Sequence, residues 1–277
     1  MSTPSRNPYA DVKRTLRREV GFQCPVRGCG NPYLTWHHFD PPWRIEKHHR
    51  PEGMIALCLE HASKADHGAF TDDQLRTLKV KTPERDVVTG KFDWRRQDFL
   101  VRLGGNFSYR EDTILQLGSV PCAWLSRDQE GLHEVNFLMP TVSNGPRASI
   151  VENFWSASSS AHEIISPPMG RKIEVKYQNG DYFKILFRNV KQPEHLGVLY
   201  PEANLRNLTS VVEFPTTLVE VTSIVAGTNL ELGPNYARFG GGTMRECFSS
   251  NSGSAGMRIN LSDKEVAELL PHHESDS

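Results

Sequence analysis

Two short half-sites carry the clearest chemistry in this chain. Cys24 and Cys29 flank the stretch "PVRG", and Cys58 and His61 follow after 28 intervening residues. Zinc takes four tetrahedral sulfur and nitrogen donors, and short loops commonly supply them in pairs. Pro25 and Gly28 shape the first loop. Cys58 ends an apolar run and His61 falls in the first turn of a predicted helix, so both can point the same way. The plainer alternative is free buried thiols and an exposed histidine. Four protein ligands leave no open position, so a zinc ion here would be structural and would stabilise a domain too small for a good core of its own. The six histidines of the first hundred residues all fall between Leu34 and Gly68: His37, His38, His48, His49, His61 and His67. Imidazole near neutral pH offers both metal ligation and proton abstraction.

The elements that must position these groups are legible. "PYADVKRTLRREV" (8–20) reads as a basic helix with Val12, Leu16 and Val20 at four-residue spacing, ended by Gly21. "YLTWHHF" and "MIALC" read as strands, separated by a polar loop over 40–53. "LEHASKADHGAF" reads as a helix ending near Gly68, and "TDDQLRTLK" as another with Thr71 as its N-cap. Residues 81–93 read as a linker, 94–270 as a mostly β domain, and 271–277 as a polar tail. Within the β domain "EVKYQNGDYFKILF" carries a two-residue hairpin signal at Asn179–Gly180. The spacing over 205–260 also tolerates a β-solenoid. "SDKEVAELL" reads as a last short helix. The fold class expected is therefore α+β: a small ββα zinc-bearing unit over 1–80, then a larger β domain, antiparallel or solenoid-like.

The order strand, His37–His38, loop, strand, Cys58, helix resembles the ββα-metal fold of the HNH endonucleases, in the branch with zinc knuckles. The resemblance is carried by His37–His38–Phe39–Asp40–Pro41, the loop to Gly53, "MIALC" and "LEHASKAD", over about residues 8–80. It implies a metal-dependent endonuclease that hydrolyses DNA phosphodiester bonds. A single hard cation clamps the phosphate and stabilises the leaving group. By resemblance His38 is the general base, and His37 is the first ligand of a catalytic Mg²⁺ or Mn²⁺. Two positions depart from the pattern. Gly53 stands where the family has Asn or His to brace the loop, with His49 and Asn31 as the substitutes at hand. Ala62 stands where a ligand often follows the zinc knuckle. Some members use ligands one helical turn apart, and one turn after Ala62 comes Asp66, whose carboxylate suits Mg²⁺ or Mn²⁺. Asp66 is thus the implied second ligand. His67, about 100° further round the helix, is the alternative, or else a cation at the helix end. An eroded metal site would instead leave a zinc-bound, non-catalytic nucleic-acid or protein adaptor.

His48 and His49 lie in the loop with Arg44, Lys47 and Arg50. The group reads either as a solvated basic loop or as a phosphate-contacting one, with Arg14, Arg17 and Arg18 adding to the same face. Residues 1–85 carry 14 Lys and Arg against 10 Asp and Glu, within a chain of net charge −1. That excess suits DNA as partner without demanding it. The β domain shows no Gly-Lys-Ser/Thr phosphate loop. Cys122 and Cys247 read as buried thiols, and Trp94, Trp124 and Trp155 as core or interface anchors. Its size suggests a regulatory, sensor or assembly domain that binds an activating protein or further copies of the chain, as in a bacterial defence effector. Five cysteines, an odd count, argue against a disulfide framework. With no apolar run long enough to span a bilayer and no signal-peptide core at the N-terminus, the chain reads as cytoplasmic and non-membrane.

Overall fold

The computed structural model describes residues 5–80 and 86–270. It is mixed α+β and mostly β. The expected tail, 271–277, and the first part of the expected linker, 81–85, lie outside the described residues.

Helix α1 (Ala10–Glu19) buries Leu16 against strand β2 and ends, as expected, at Gly21, which adopts φ +61°. Strands β1 (Leu34–His38) and β2 (Met54–Cys58) form an antiparallel pair in the register Leu34↔Cys58 to His38↔Met54. Every residue of β2 is buried, because α1, α2 (Leu59–Asp66) and α3 (Asp72–Val80) all pack on it. Thr71 caps α3 reciprocally: Gln74 N–H donates to Thr71 Oγ1 (3.2 Å) and Thr71 N–H to Gln74 Oε1 (2.9 Å). The core of this unit is small: Leu16, Leu34, Phe39, the run Met54–Leu57 and Leu75.

The linker expectation is corrected by strand β3 (Val87–Lys91), which pairs antiparallel with Phe154–Ser158 at the edge of a seven-stranded sheet. Val88 and Phe92 point into the core and are fully buried. Their neighbours are charged or small, so the alternation is weak in sequence. Gly90 is required there, since a Cβ would lie 2.5 Å from the Trp155 ring. The seven-stranded sheet faces a ten-stranded one, with Phe137 of the first stacked on Phe183 of the second at 4.7 Å. Strand pairing is largely antiparallel, and the solenoid alternative is not what forms. The hairpin at Asn179–Gly180 does form between Lys172–Lys176 and Tyr182–Val190. Its loop holds three residues rather than two: Tyr177 N–H bonds Asp181 O (3.0 Å) and Gly180 takes φ +94°. The final helix, Asp263–Leu269, starts in a capping box at Ser262. Cys122 is buried as expected, whereas Cys247 is exposed. Trp155 is a core residue and Trp94 stacks on Phe187.

The two halves are joined directly. Arg17 on α1 pairs with the buried carboxylate of Glu163, which Arg14 (3.6 Å) and Lys176 (3.5 Å) also approach. Arg18 donates to the His162 carbonyl at 2.9 Å. These three α1 arginines were expected on a phosphate-facing surface; two of them serve Glu163 and the third holds the same strand's approach. Burial pushes the Glu163 carboxyl upward, but Arg17, Lys176 and Arg14 outweigh it and hold it below the ordinary range. Its contribution to stability is therefore complete above the unfolded value of about 4.3 and is lost as pH falls through the lower folded value. Wild-type protein should lose melting temperature between about pH 5 and 3 more steeply than Glu163→Gln. Parallel acid profiles would show that Glu163 contributes nothing of the kind.

Candidate functional site

Cys24, Cys29, Cys58 and His61 come together with their four donor atoms within 4.8 Å of one another. Cys29 Sγ lies 3.8 Å from Cys58 Sγ, and His61 Nδ1 lies 3.2 Å from Cys58 Sγ and 3.5 Å from Cys24 Sγ. Tetrahedral zinc–ligand bonds of about 2.3 Å to sulfur and 2.1 Å to nitrogen put neighbouring donors about 3.6–3.8 Å apart. The closest donor separations in the cluster, 3.2–3.8 Å, lie near that spacing, so these four residues could bind a metal such as zinc. The chain folds this way locally because Cys29 N–H closes a turn on Val26 O (2.9 Å) and Gly28 takes φ +80°. Cys58 ends β2 and is the N-cap of α2, which carries His61 back over it. Burial pushes the Cys24 and Cys58 thiols up. A divalent cation reverses that preference by binding the thiolate.

At the other end of α2 a second pair forms. His37 Nδ1 lies 3.2 Å from Asp66 Oδ1. The ring is buried and Nδ1 makes no aligned hydrogen bond. Adjacent ligands on an octahedral cation at 2.0–2.1 Å stand about 3 Å apart, so the two donors are spaced to share one. Burial lowers the His37 pKa more than Asp66 raises it, which keeps the imidazole neutral and able to ligate at pH 7. Ala62 lines the same cleft without a donor. His67, the alternative ligand, turns back onto its own helix, its Nδ1 bonded to Ser63 O at 2.8 Å. It is corrected to a helix-end residue.

His38 points the other way along the strand, as alternation requires. It lies 2% exposed among Trp43, His48 and His49, with ring centroids 4.7, 5.4 and 5.9 Å away. Neither of its ring nitrogens has a hydrogen-bond partner. Burial, then the His48 and Arg6 charges, push its pKa down to about 4, so the imidazole is neutral at pH 7. It does not line the cleft that holds His37 and Asp66.

The phosphate-contact set shrinks. His48 is buried and structural: Nε2–H donates to Pro41 O (2.9 Å) and Nδ1 accepts from Arg50 N–H (3.1 Å). It thus braces the loop, the part that neither Asn31 nor His49 takes. His49 stacks on Trp43 at 5.4 Å. Arg50 makes a bidentate ion pair with Glu46. Arg44 and Lys47 remain exposed. The glycine at position 53 also has a reason. Its carbonyl accepts from Phe39 N–H (2.9 Å) and Asp40 N–H (3.2 Å), and a Cβ would sit 1.9 Å from Asp40 O. Gly53→Ala should therefore cost about 1–3 kcal/mol or more by overpacking, read as a lowered melting temperature. An unchanged melt would mean the loop has slack.

Sequence reasoning missed two of the cleft's own cations, Arg6 and Lys13. A cleft of about 710 Å³ opens between β1, α1, α2 and the turn at Pro167–Pro168 of the β half. Arg6, Lys13 and Arg17 line it beside His37 and Asp66, and Arg6 Nη2 comes within 3.8 Å of Asp66 Oδ1. Lys13 and Arg17 stand at i and i+4 on α1, a spacing visible in sequence; Arg6 has no such signal.

Compared with protein-family models, with curated proteins and with solved structures, the chain matches none.

Among the described residues no helix is long and apolar enough to cross a membrane. The cleft itself joins a buried neutral imidazole, a half-exposed carboxylate and three cationic side chains.

Proposed function

We propose that the protein is a metal-dependent, HNH-type endonuclease of DNA with a structural zinc. The observation that carries this reading is the His37–Asp66 pair, 3.2 Å apart without an aligned hydrogen bond, in a cleft walled by Arg6 and Lys13. A bound Mg²⁺ or Mn²⁺ would supply charge relief on the leaving oxygen. His37 and Asp66 are the residues to hold it. Arg6 and Lys13 offset phosphate charge and position the backbone, which carries no sequence information. His38, neutral at pH 7, is the general base by resemblance only; its ring faces the side of β1 away from the cleft, so taking the proton of the attacking water requires it to come within hydrogen-bond reach. His48 fixes the loop that follows it. The β half contributes one wall of the cleft and thereby a means of control.

The decisive test is nicking of supercoiled plasmid by purified protein against titrated Mg²⁺ and Mn²⁺. A saturable rise in nicking with metal is expected. Ala62, which offers no donor, and Arg6, which already approaches Asp66, favour a second reading, a DNA-binding adaptor. DNA binding with no cleavage at any metal concentration would leave only that one.

A further inference from the structure

A second cleft, of about 860 Å³, lies against the first and shares Ile165 and Pro167 with it. Its chemistry is one-sided: Arg171, Lys172, Lys184, Arg188 and His195 line it, and no carboxylate does. The fold puts them there for simple reasons. On the strand Tyr182–Val190, Phe183, Ile185 and Phe187 face the core, so Lys184, Leu186 and Arg188 share the outer face. Lys172 stands opposite Leu186 on the paired strand. The helix Pro193–Leu199 adds His195 at the end. Two of these cations are partly neutralised, Lys172 by Glu174 (3.0 Å) and Arg188 by Glu220. Arg171 and Lys184 have no ion pair among the described residues.

We propose that this cleft is a nucleic-acid backbone subsite, continuous with the His37–Asp66 cleft over the Pro167 ridge. It rests on the reading of that cleft as a DNA site. The polymer enters or leaves the reaction cleft along the β half, held by its phosphates. Of the aromatic residues lining it, Phe187 is buried, and Trp94 is already stacked on it at 5.4 Å and bonded through Nε1 to Gly170 O at 3.2 Å. It is not free to stack on a base, so the subsite reads charge and not sequence. The β half is then part of the substrate-binding surface.

The test compares the full-length protein with its Arg171→Glu/Lys184→Glu variant, by fluorescence anisotropy without added Mg²⁺, on duplexes of 10 and 30 base pairs. The variant is expected to bind the 10-mer as wild type does and the 30-mer at least tenfold more weakly. Its slope of log K against log salt on the 30-mer should be shallower by about two. Should the charge reversal lower the melting temperature, Arg171→Gln/Lys184→Gln gives the same comparison with a slope change in the same sense. Equal affinity of variant and wild type for the 30-mer overturns the subsite, even if plasmid nicking stands. Length-dependent binding lost in the variant sustains it, even if no cleavage is found. Displacement of the 30-mer by micromolar mononucleotide would put a small ligand there instead of a polymer, and also overturns it.

Discussion

Exhaustive chelation at neutral pH should release one zinc ion per chain and collapse the N-terminal unit. The unit's core is little more than Leu16, Leu34, Phe39, β2 and Leu75. The four-donor cluster ties the loop at Cys24–Cys29 to the junction of β2 and α2. Without a cation, buried thiols and an imidazole crowd one point with no gain. Structural zinc contributes about 10–16 kcal/mol in small zinc-bound peptides. A loss of even about 5 kcal/mol here would lower the melting temperature by roughly 10–20 °C. Cys58→Ala should do the same and lose its zinc, because it removes both a ligand and the residue at the start of α2. Cys122→Ala should keep the metal, since Cys122 is buried in the β half and bonded to Leu138 O at 3.0 Å. Metal content and far-UV circular dichroism read both effects. An unchanged melt after complete metal removal would end the structural-zinc reading.

His38→Ala is expected to lower nicking by about 10²–10⁴-fold with plasmid affinity intact, the range for loss of a general base. His37→Ala and Asp66→Asn should act differently, by raising the Mg²⁺ or Mn²⁺ concentration needed for half-maximal rate. His67→Ala should leave both quantities alone, because its ring serves Ser63 O. The split matters because His37 and His38 point to opposite sides of β1. If His38→Ala nicks at the wild-type rate, the base lies elsewhere and the proposed mechanism fails, whatever holds the metal.

The local elements were legible because each rests on contiguous signals. The limits of β2, the Thr71 cap and the turn at Gly28 all follow from neighbours in sequence. The four-donor cluster was legible because zinc constrains residue type and spacing together. His48 was misread because its two hydrogen bonds go to backbone atoms, Pro41 O and Arg50 N, and backbone partners leave no mark in a sequence. Gly53 looked like erosion for a related reason: the atom that excludes a side chain is a carbonyl oxygen from Asp40, brought in by the fold. Val87–Lys91 passed for a linker because Gly90 answers to the Trp155 ring 65 positions away. The arginines of α1 were assigned to a ligand outside the chain, when Arg14 and Arg17 meet Glu163 and Arg18 meets the His162 carbonyl within it.

The joint between the halves bears on how this protein can be taken apart. Tyr33 accepts from Trp155 Nε1 at 3.2 Å, Ser166 donates to Pro32 O at 2.5 Å, and Arg17 is locked to Glu163. A fragment ending near residue 80 would strip one bank from the His37–Asp66 cleft and leave Arg17 an orphan charge. The first eighty residues are therefore not a transplantable cassette. A graft of them onto another carrier would have to bring along the Glu163–Pro168 edge, or rebuild it.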